Sequence, residues 1–235
     1  MTTFTSRDSK FWADHYNNLG RSNDENTMHA RKSLNPSEFA YIFNDINKAL
    51  QLEQDDIVAD VGCASGAISI LFSSMVKKVF SYDIAQENIN YCKESHFVDN
   101  VEFACEHIER VKNSKINKMF LGAVLQHFSE GQLSDFAKSI CSAEKFPNIE
   151  KVFISHIPNL SKQHDWLEGY KNFISSRTEL EKVRQNWKSD NTWYDPSSIH
   201  EYFGEKFDVL IMDVDPHITQ HKYCFDMLLK KKQKK

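Results

Sequence analysis

The chain has 235 residues, 40% hydrophobic and 26% charged, enough apolar material for one packed domain and far from the composition of disordered chains. A formal net charge of -4 gives no global attraction to nucleic acid or to anionic membranes. The cysteines, Cys63, Cys92, Cys105, Cys141 and Cys224, are odd in number and lack a Cys-x-x-Cys pair, which argues against a disulfide framework or a zinc site and for small buried residues.

Met1 to Lys10 is polar and lacks the apolar core of a secretory signal, so the cytoplasm is the expected location, and no stretch approaches the ~20 apolar residues of a membrane-spanning helix. Residues 1–50 are expected to form a helical cap ahead of the main domain, residues 51–235. From Asp56 onward, β-type runs alternate with helix-type runs, the pattern of parallel strands joined by crossover helices. Strands are expected at Ile57–Val61, Lys78–Ile84, Asn100–Cys105, Met119–Leu125 and Lys151–Ile157, with helices at Ala67–Val76, Gln86–Lys93 and Glu130–Cys141. Pro158 to about Asp195 breaks the alternation. Its Trp166, Tyr170, Phe173, Trp187, Trp193 and Tyr194 suit either an inserted cap or ordinary core packing. Ser197 is a plausible cap for a helix through Ile199 and Phe203 that Gly204 stops. Phe207–Val214 and Lys222–Leu229 then read as an antiparallel hairpin, and the final lysines as a frayed, solvated end.

Asp60-Val61-Gly62-Cys63-Ala64-Ser65-Gly66 sits between a buried strand and a helix, where glycine allows a sharp turn and close approach of a ligand to the backbone. An ordinary tight connection would look similar. Asp83 closes the second strand about 20 residues later, the place where an acidic side chain in this topology accepts hydrogen bonds from ribose hydroxyls. Glu106 and His107 follow the third strand, where a nucleobase would lie; a solvated loop carboxylate is the alternative for Glu106.

With these parts in order, the sequence resembles the class I S-adenosylmethionine-dependent methyltransferases, and within them the small-molecule branch related to the ubiquinone and menaquinone methyltransferases, over Asp56 to about Leu229. The resemblance implies a Rossmann-like, doubly wound seven-stranded α/β sheet, mostly parallel with an antiparallel last strand. It implies that the Asp60–Gly66 loop wraps the methionine part of S-adenosylmethionine, that Asp83 with Ile84 holds the ribose, and that S-adenosylhomocysteine is the product. Leu121 to His127, containing Gly122, resembles the family's fourth-strand motif beside the sulfonium. Trp193 to Ile199 resembles the lead-in to its last helix, and Phe11 to Tyr16 its entry helix, with Tyr16 the candidate to close over the cofactor; Trp12 and Tyr16, spaced four apart, equally suit packing on one helical face. Two departures bear on individual residues. Ala64 stands where many relatives have glycine, and the usual aspartate after the third strand is absent, leaving Glu106 or His107. Arg31 is a candidate partner for the cofactor carboxylate; a surface arginine is the plainer alternative.

His127, after the fourth strand, and His156, near the end of the fifth, are the candidates for a general base; either residue also suits a structural, hydrogen-bonded role. No metal site is expected. The favoured function is O-methylation of a small molecule, with a sugar or surface-polysaccharide precursor as acceptor on the view that abundant Asn, Lys, Ile and Phe reflect an AT-rich bacterial genome. A quinone or lipid-like acceptor, a NAD-dependent oxidoreductase and a non-catalytic binding module are the alternatives. The expected partner is a small-molecule substrate and no nucleic acid, in a monomer or homodimer.

Overall fold

The computed structural model describes residues 2–20, 36–166, 181, 185 and 190–233. Its strands are β1 (Ile57–Val61), β2 (Lys78–Asp83), β3 (Val101–Cys105), β4 (Lys118–Gly122), β5 (Lys151–Pro158), β6 (Phe207–Asp213) and β7 (Cys224–Lys231). Its helices are α1 (Ser9–Gly20), α2 (Pro36–Leu50), α3 (Ala67–Ser73), α4 (Gln86–Ser95) and α5 (Glu130–Cys141). The strands form one sheet in the order β3-β2-β1-β4-β5-β7-β6. β1 to β5 pair in parallel, and β7 is antiparallel to both β5 and β6. This is the expected seven-stranded sheet with an antiparallel last strand.

The central strands are mostly apolar because both their faces are covered. Met119 and Leu121 of β4 and Val152 and Ile154 of β5 pack on one face with Leu133, Phe136 and Ile140 of α5. Phe120 and Phe153, one residue out of step, pack on the other with Ile46 and Leu50 of α2 and Phe72 of α3. The period-two alternation of a strand thus distributes adjacent residues between two cores.

Several boundaries differ from expectation. β4 ends at Gly122 rather than Leu125, because Ala123 takes φ 53° and Leu125–His127 coil into a 3-10 turn. α3 stops at Ser73, three residues early. Ser197 does not cap a helix: Asp195 accepts hydrogen bonds from its N–H and hydroxyl, and only a 3-10 turn, Ile199–Tyr202, follows. Cys105 is exposed and Cys141 half-buried, contrary to the buried expectation, which Cys63, Cys92 and Cys224 meet. Lys230 and Lys231 belong to β7 instead of a frayed end, with the Lys231 ammonium donating to the Pro147 carbonyl.

The two regions outside the alternation meet each other. Thr3 bridges Trp193, and the Thr5 N–H donates to the Thr192 hydroxyl, at 2.9 Å. Thr192 in turn donates from its N–H to the Gln126 carbonyl and from its hydroxyl to the Phe128 carbonyl, and the Tyr194 hydroxyl donates to the Leu125 carbonyl. The turn after β4 is therefore clamped from residues 64 to 69 positions away. Trp166, Trp193 and Tyr194 are buried as core. Tyr170, Phe173 and Trp187 lie outside the described residues, as does Arg31.

Candidate active site

The turn after β1 is held by backbone. The Gly62 and Cys63 N–H groups both donate to the Tyr82 carbonyl, and the Gly66 N–H donates to the Cys63 carbonyl. Gly62 has φ 74°, and a Cβ there would lie 2.4 Å from Cγ2 of Val124, so this position requires glycine both conformationally and sterically. Ala64 has φ 48°, the left-handed region that glycine favours, which is the physical meaning of its departure from the family pattern.

Asp83 ties this turn to the end of β2. Its Oδ2 accepts from the Ala64 N–H at 2.9 Å and its Oδ1 from the Ala85 N–H at 2.8 Å. Burial pushes its pKa upward, while those two N–H groups and the Asn88 side chain pull it back. Asp60, on the face of β1 toward α3, accepts from the Ser69 hydroxyl at 2.5 Å, and Ser81 donates to Ser69. Burial raises the Asp60 pKa to about 7, the Ser69 hydrogen bond opposes this and the charge of Asp83 adds to it.

These groups line a cavity of about 260 Å³, more than ten times what one water needs. Asp60, Gly62, Cys63, Ala64, Asp83, Ile84, Glu106, His107 and Gly122 all line it, as do Tyr16, His127 and His156. Ser65 and Gly66 stand behind the turn instead: the Ser65 carbonyl faces Nε2 of His96 at 2.8 Å, and Gly66 caps α3. Sequence reasoning missed Asn88, Gln126, Ser155, Gln220 and Tyr223, which also line the cavity. Asn88 carried a signal, being in the first helical turn after Asp83, and so did Gln126, which lies within the Leu121–His127 motif. Gln220 and Tyr223 lie in the hairpin connection and reach the cavity through the sheet order alone.

His127 stands on the 3-10 turn after β4, its Nε2 2.9 Å from the Tyr16 hydroxyl and 3.3 Å from the Gln126 amide nitrogen. The Trp12 ring covers it at 4.0 Å between centroids. His156 occupies a β-bulge. Between the pairs Ile154↔Met227 and Ile157↔Phe225, Ser155 and His156 oppose the single residue Asp226. The bulge sets His156 at φ 58°, and its N–H donates to Oδ1 of Asp226 at 2.8 Å. Burial lowers the His156 pKa to about 4 against the opposing charge of Glu38, so the imidazole is neutral at physiological pH. Ala64, Ala123 and His156 are three of the four non-glycine residues with positive φ among the described residues, and all three line this cavity. Backbone strain of this kind concentrates at functional sites.

A family model described as a methyltransferase domain matches residues 52–223, most of the chain. The chain belongs to the methyltransferase-domain family. This membership favours the methyltransferase expectation over the oxidoreductase one. Among curated relatives, an uncharacterized RNA methyltransferase of Clostridium tetani is 31% identical over 88 residues, 36% of this chain and 19% of that protein. A putative RNA methyltransferase of Acanthamoeba polyphaga mimivirus is 35% identical over 82 residues, 31% of this chain and 21% of that protein. The chain thus spans about a fifth of the length of these relatives. Among solved structures, the magnesium protoporphyrin IX methyltransferase of Synechocystis PCC 6803 with bound SAH superposes with a TM-score of 0.67 at 12% identity, covering 96% of this chain and 100% of that one. The N-methyltransferase NodS of Bradyrhizobium japonicum WM9 in complex with S-adenosylhomocysteine gives 0.65 at 10%, covering 94% and 98%. These likenesses are likenesses of fold. The expected cofactor, S-adenosylmethionine, is the one that methyltransferase neighbours of this fold carry, as itself or as its product.

Proposed function

We propose that the methyltransferase domain binds S-adenosylmethionine along this cavity and transfers its methyl group to a small-molecule hydroxyl, with a sugar or surface-polysaccharide precursor as acceptor. One observation carries the proposal: a single cavity joins the glycine turn and Asp83 to both histidines. The chain's own residues fit the cofactor. Asp83 presents a buried carboxylate whose two oxygens are each fixed by one N–H, leaving lone pairs for ribose hydroxyls. The lining holds Asp60, Asp83, Glu106 and Glu109 and, among the described residues, no lysine or arginine, a field suited to a cation. Ile84 and Ile108 also line the cavity and would give an apolar bed for a base, with Glu106 to meet its edge. When bound, S-adenosylmethionine supplies an electrophilic methyl carbon on a sulfonium sulfur.

The chain's task is then to orient an acceptor and exclude water. Trp12 and Tyr16 line the cavity from α1, and the clamp of residues 190–194 on the turn after β4 holds His127 beside them. These contacts support residues 1–50 and 158–195 as caps on the methyltransferase domain, within a cytoplasmic enzyme. Of the two candidate histidines, His127 and His156, we assign the acceptor hydroxyl to His156. Kinship with the ubiquinone and menaquinone branch would add a quinone-like acceptor, which the apolar side chains of Phe39, Ile42 and Phe128 would suit.

A second reading, RNA methylation, is favoured by the names of the curated relatives and disfavoured by the acidic lining. Calorimetry with S-adenosylmethionine and S-adenosylhomocysteine tests the cofactor. Radiolabelled methyl transfer into separated small-molecule and RNA fractions tests the acceptor. Binding with label in small molecules is expected; label in RNA overturns the small-molecule acceptor, and no binding overturns the whole.

A further inference from the structure

We infer that the end of the cavity formed by the β5 bulge and the β6–β7 connection is the acceptor subsite, and that it takes an uncharged ring bearing a hydroxyl. This rests on the cofactor occupying the Asp83 end. Nε2 of His156 and Oε1 of Gln220 are both buried and both without a hydrogen-bond partner among the described residues, and both residues line the cavity. His156 itself is 9% exposed. Buried polar atoms are nearly always paired, so two orphans on residues that line one cavity mark places where a ligand supplies the partner.

The chemistry of the two atoms selects that ligand. A carbonyl oxygen such as Gln220 Oε1 only accepts, so the ligand must donate to it. A neutral imidazole carries one N–H, and at the 3.1 Å contact between Nδ1 and the Ser155 hydroxyl the roles depend on the tautomer, so Nε2 either donates or accepts and the ligand must be able to answer either way. A hydroxyl does both. A carboxylate or phosphate dianion has acceptors alone and would leave Gln220 unmet. It would also be placed near Glu38, whose charge already acts on His156, without a lysine or arginine among the described lining residues to compensate. Phe39 and Ile42 from α2 and Tyr223 from the hairpin connection complete this end with apolar and aromatic surface, which suits the faces of a phenol or of a sugar ring.

The test is saturation-transfer NMR on the protein loaded with S-adenosylhomocysteine, using catechol against phenyl phosphate and methyl β-glucoside against glucose 1-phosphate. At least one neutral probe is expected to bind about tenfold more tightly than its phosphate counterpart, and which one responds tells phenol from sugar. Gln220→Leu, which removes the side-chain amide and keeps a similar volume, is expected to weaken the neutral probe by about fivefold to tenfold, roughly one hydrogen bond, with the affinity for S-adenosylhomocysteine unchanged. His156→Asn, which tolerates the left-handed backbone, is expected to do the same. A phosphate probe that binds as well as its neutral partner, or silence from both neutral probes with S-adenosylhomocysteine bound, overturns the acceptor class alone. Failure to bind S-adenosylhomocysteine overturns the cofactor reading and this inference with it.

Discussion

The Tyr16 hydroxyl lies 2.9 Å from Nε2 of His127, so a single hydrogen bond spanning 111 residues fastens α1 to the turn after β4. The next residue of the same helix is fastened separately, where the Asn17 side chain accepts from the Glu87 N–H at the start of α4. α1 thus connects the turn after β4 to the start of α4.

Tyr16→Phe removes the first attachment and leaves the second. The loss is expected to be about 1 kcal/mol, the worth of one ordinary hydrogen bond, and to be local to α1. Hydrogen exchange should quicken in residues of α1 while the sheet amides stay protected, and cofactor affinity should fall a few-fold. Unchanged exchange in α1 would mean that the Trp12 and Asn17 contacts hold the helix without the tyrosine.

Asp83→Ala is expected to lower affinity for S-adenosylmethionine by about a hundredfold, since two ribose hydrogen bonds to a charged group disappear. The same carboxylate accepts from the Ala64 and Ala85 N–H groups, so the substitution also leaves buried donors unmet and should cost about 1–3 kcal/mol of stability. Calorimetry and chemical denaturation separate the two effects. Intact affinity in a destabilised protein would leave Asp83 a purely structural bracket.

Gly62→Ala places a methyl group where Cγ2 of Val124 now sits, 2.4 Å from the new Cβ. A loss of about 1–3 kcal/mol is expected from overpacking together with the left-handed backbone. Val124→Ala in the same chain should restore part of it, because the clash is with that side chain alone. A double variant no more stable than Gly62→Ala would show that backbone strain, not the clash, sets the cost.

The pH dependence has a definite sign at Asp226. Burial raises its pKa to about 7 from 3.8, the His156 N–H lowers it and Asp45 raises it further. Between those values the native carboxyl keeps a proton that the unfolded chain has released, so its contribution to stability falls as pH rises through the window. His156 acts oppositely: its pKa is lowered from 6.5 to about 4, so over that interval the unfolded chain binds the extra proton and stability rises with pH. Asp226→Asn keeps an acceptor for the His156 N–H and cannot ionise. Relative to the parent protein it should gain stability from about pH 4 to pH 8, by roughly 1–4 kcal/mol. A difference that does not change with pH would mean that Asp226 is ionised throughout.

Local pattern was enough to reveal the parallel strands, the hairpin and the glycine turn with Asp83, since apolar runs and glycine carry their own period and conformational limits. Even there, β4 ends three residues before the apolar run Met119–Leu125 does, because Ala123 turns left-handed to meet the Ser155 carbonyl and nothing in that run announces the contact. His127 and His156 looked alike as candidates. What distinguishes them is who their neighbours are: Tyr16 and Trp12 arrive at one from the N-terminal helix, while the β-bulge and Asp226 bury the other and leave its Nε2 without a partner among the described residues. Burial and hydrogen-bond partnership are properties of residues brought together from 70 to 111 positions apart, and only the closed sheet assembles them.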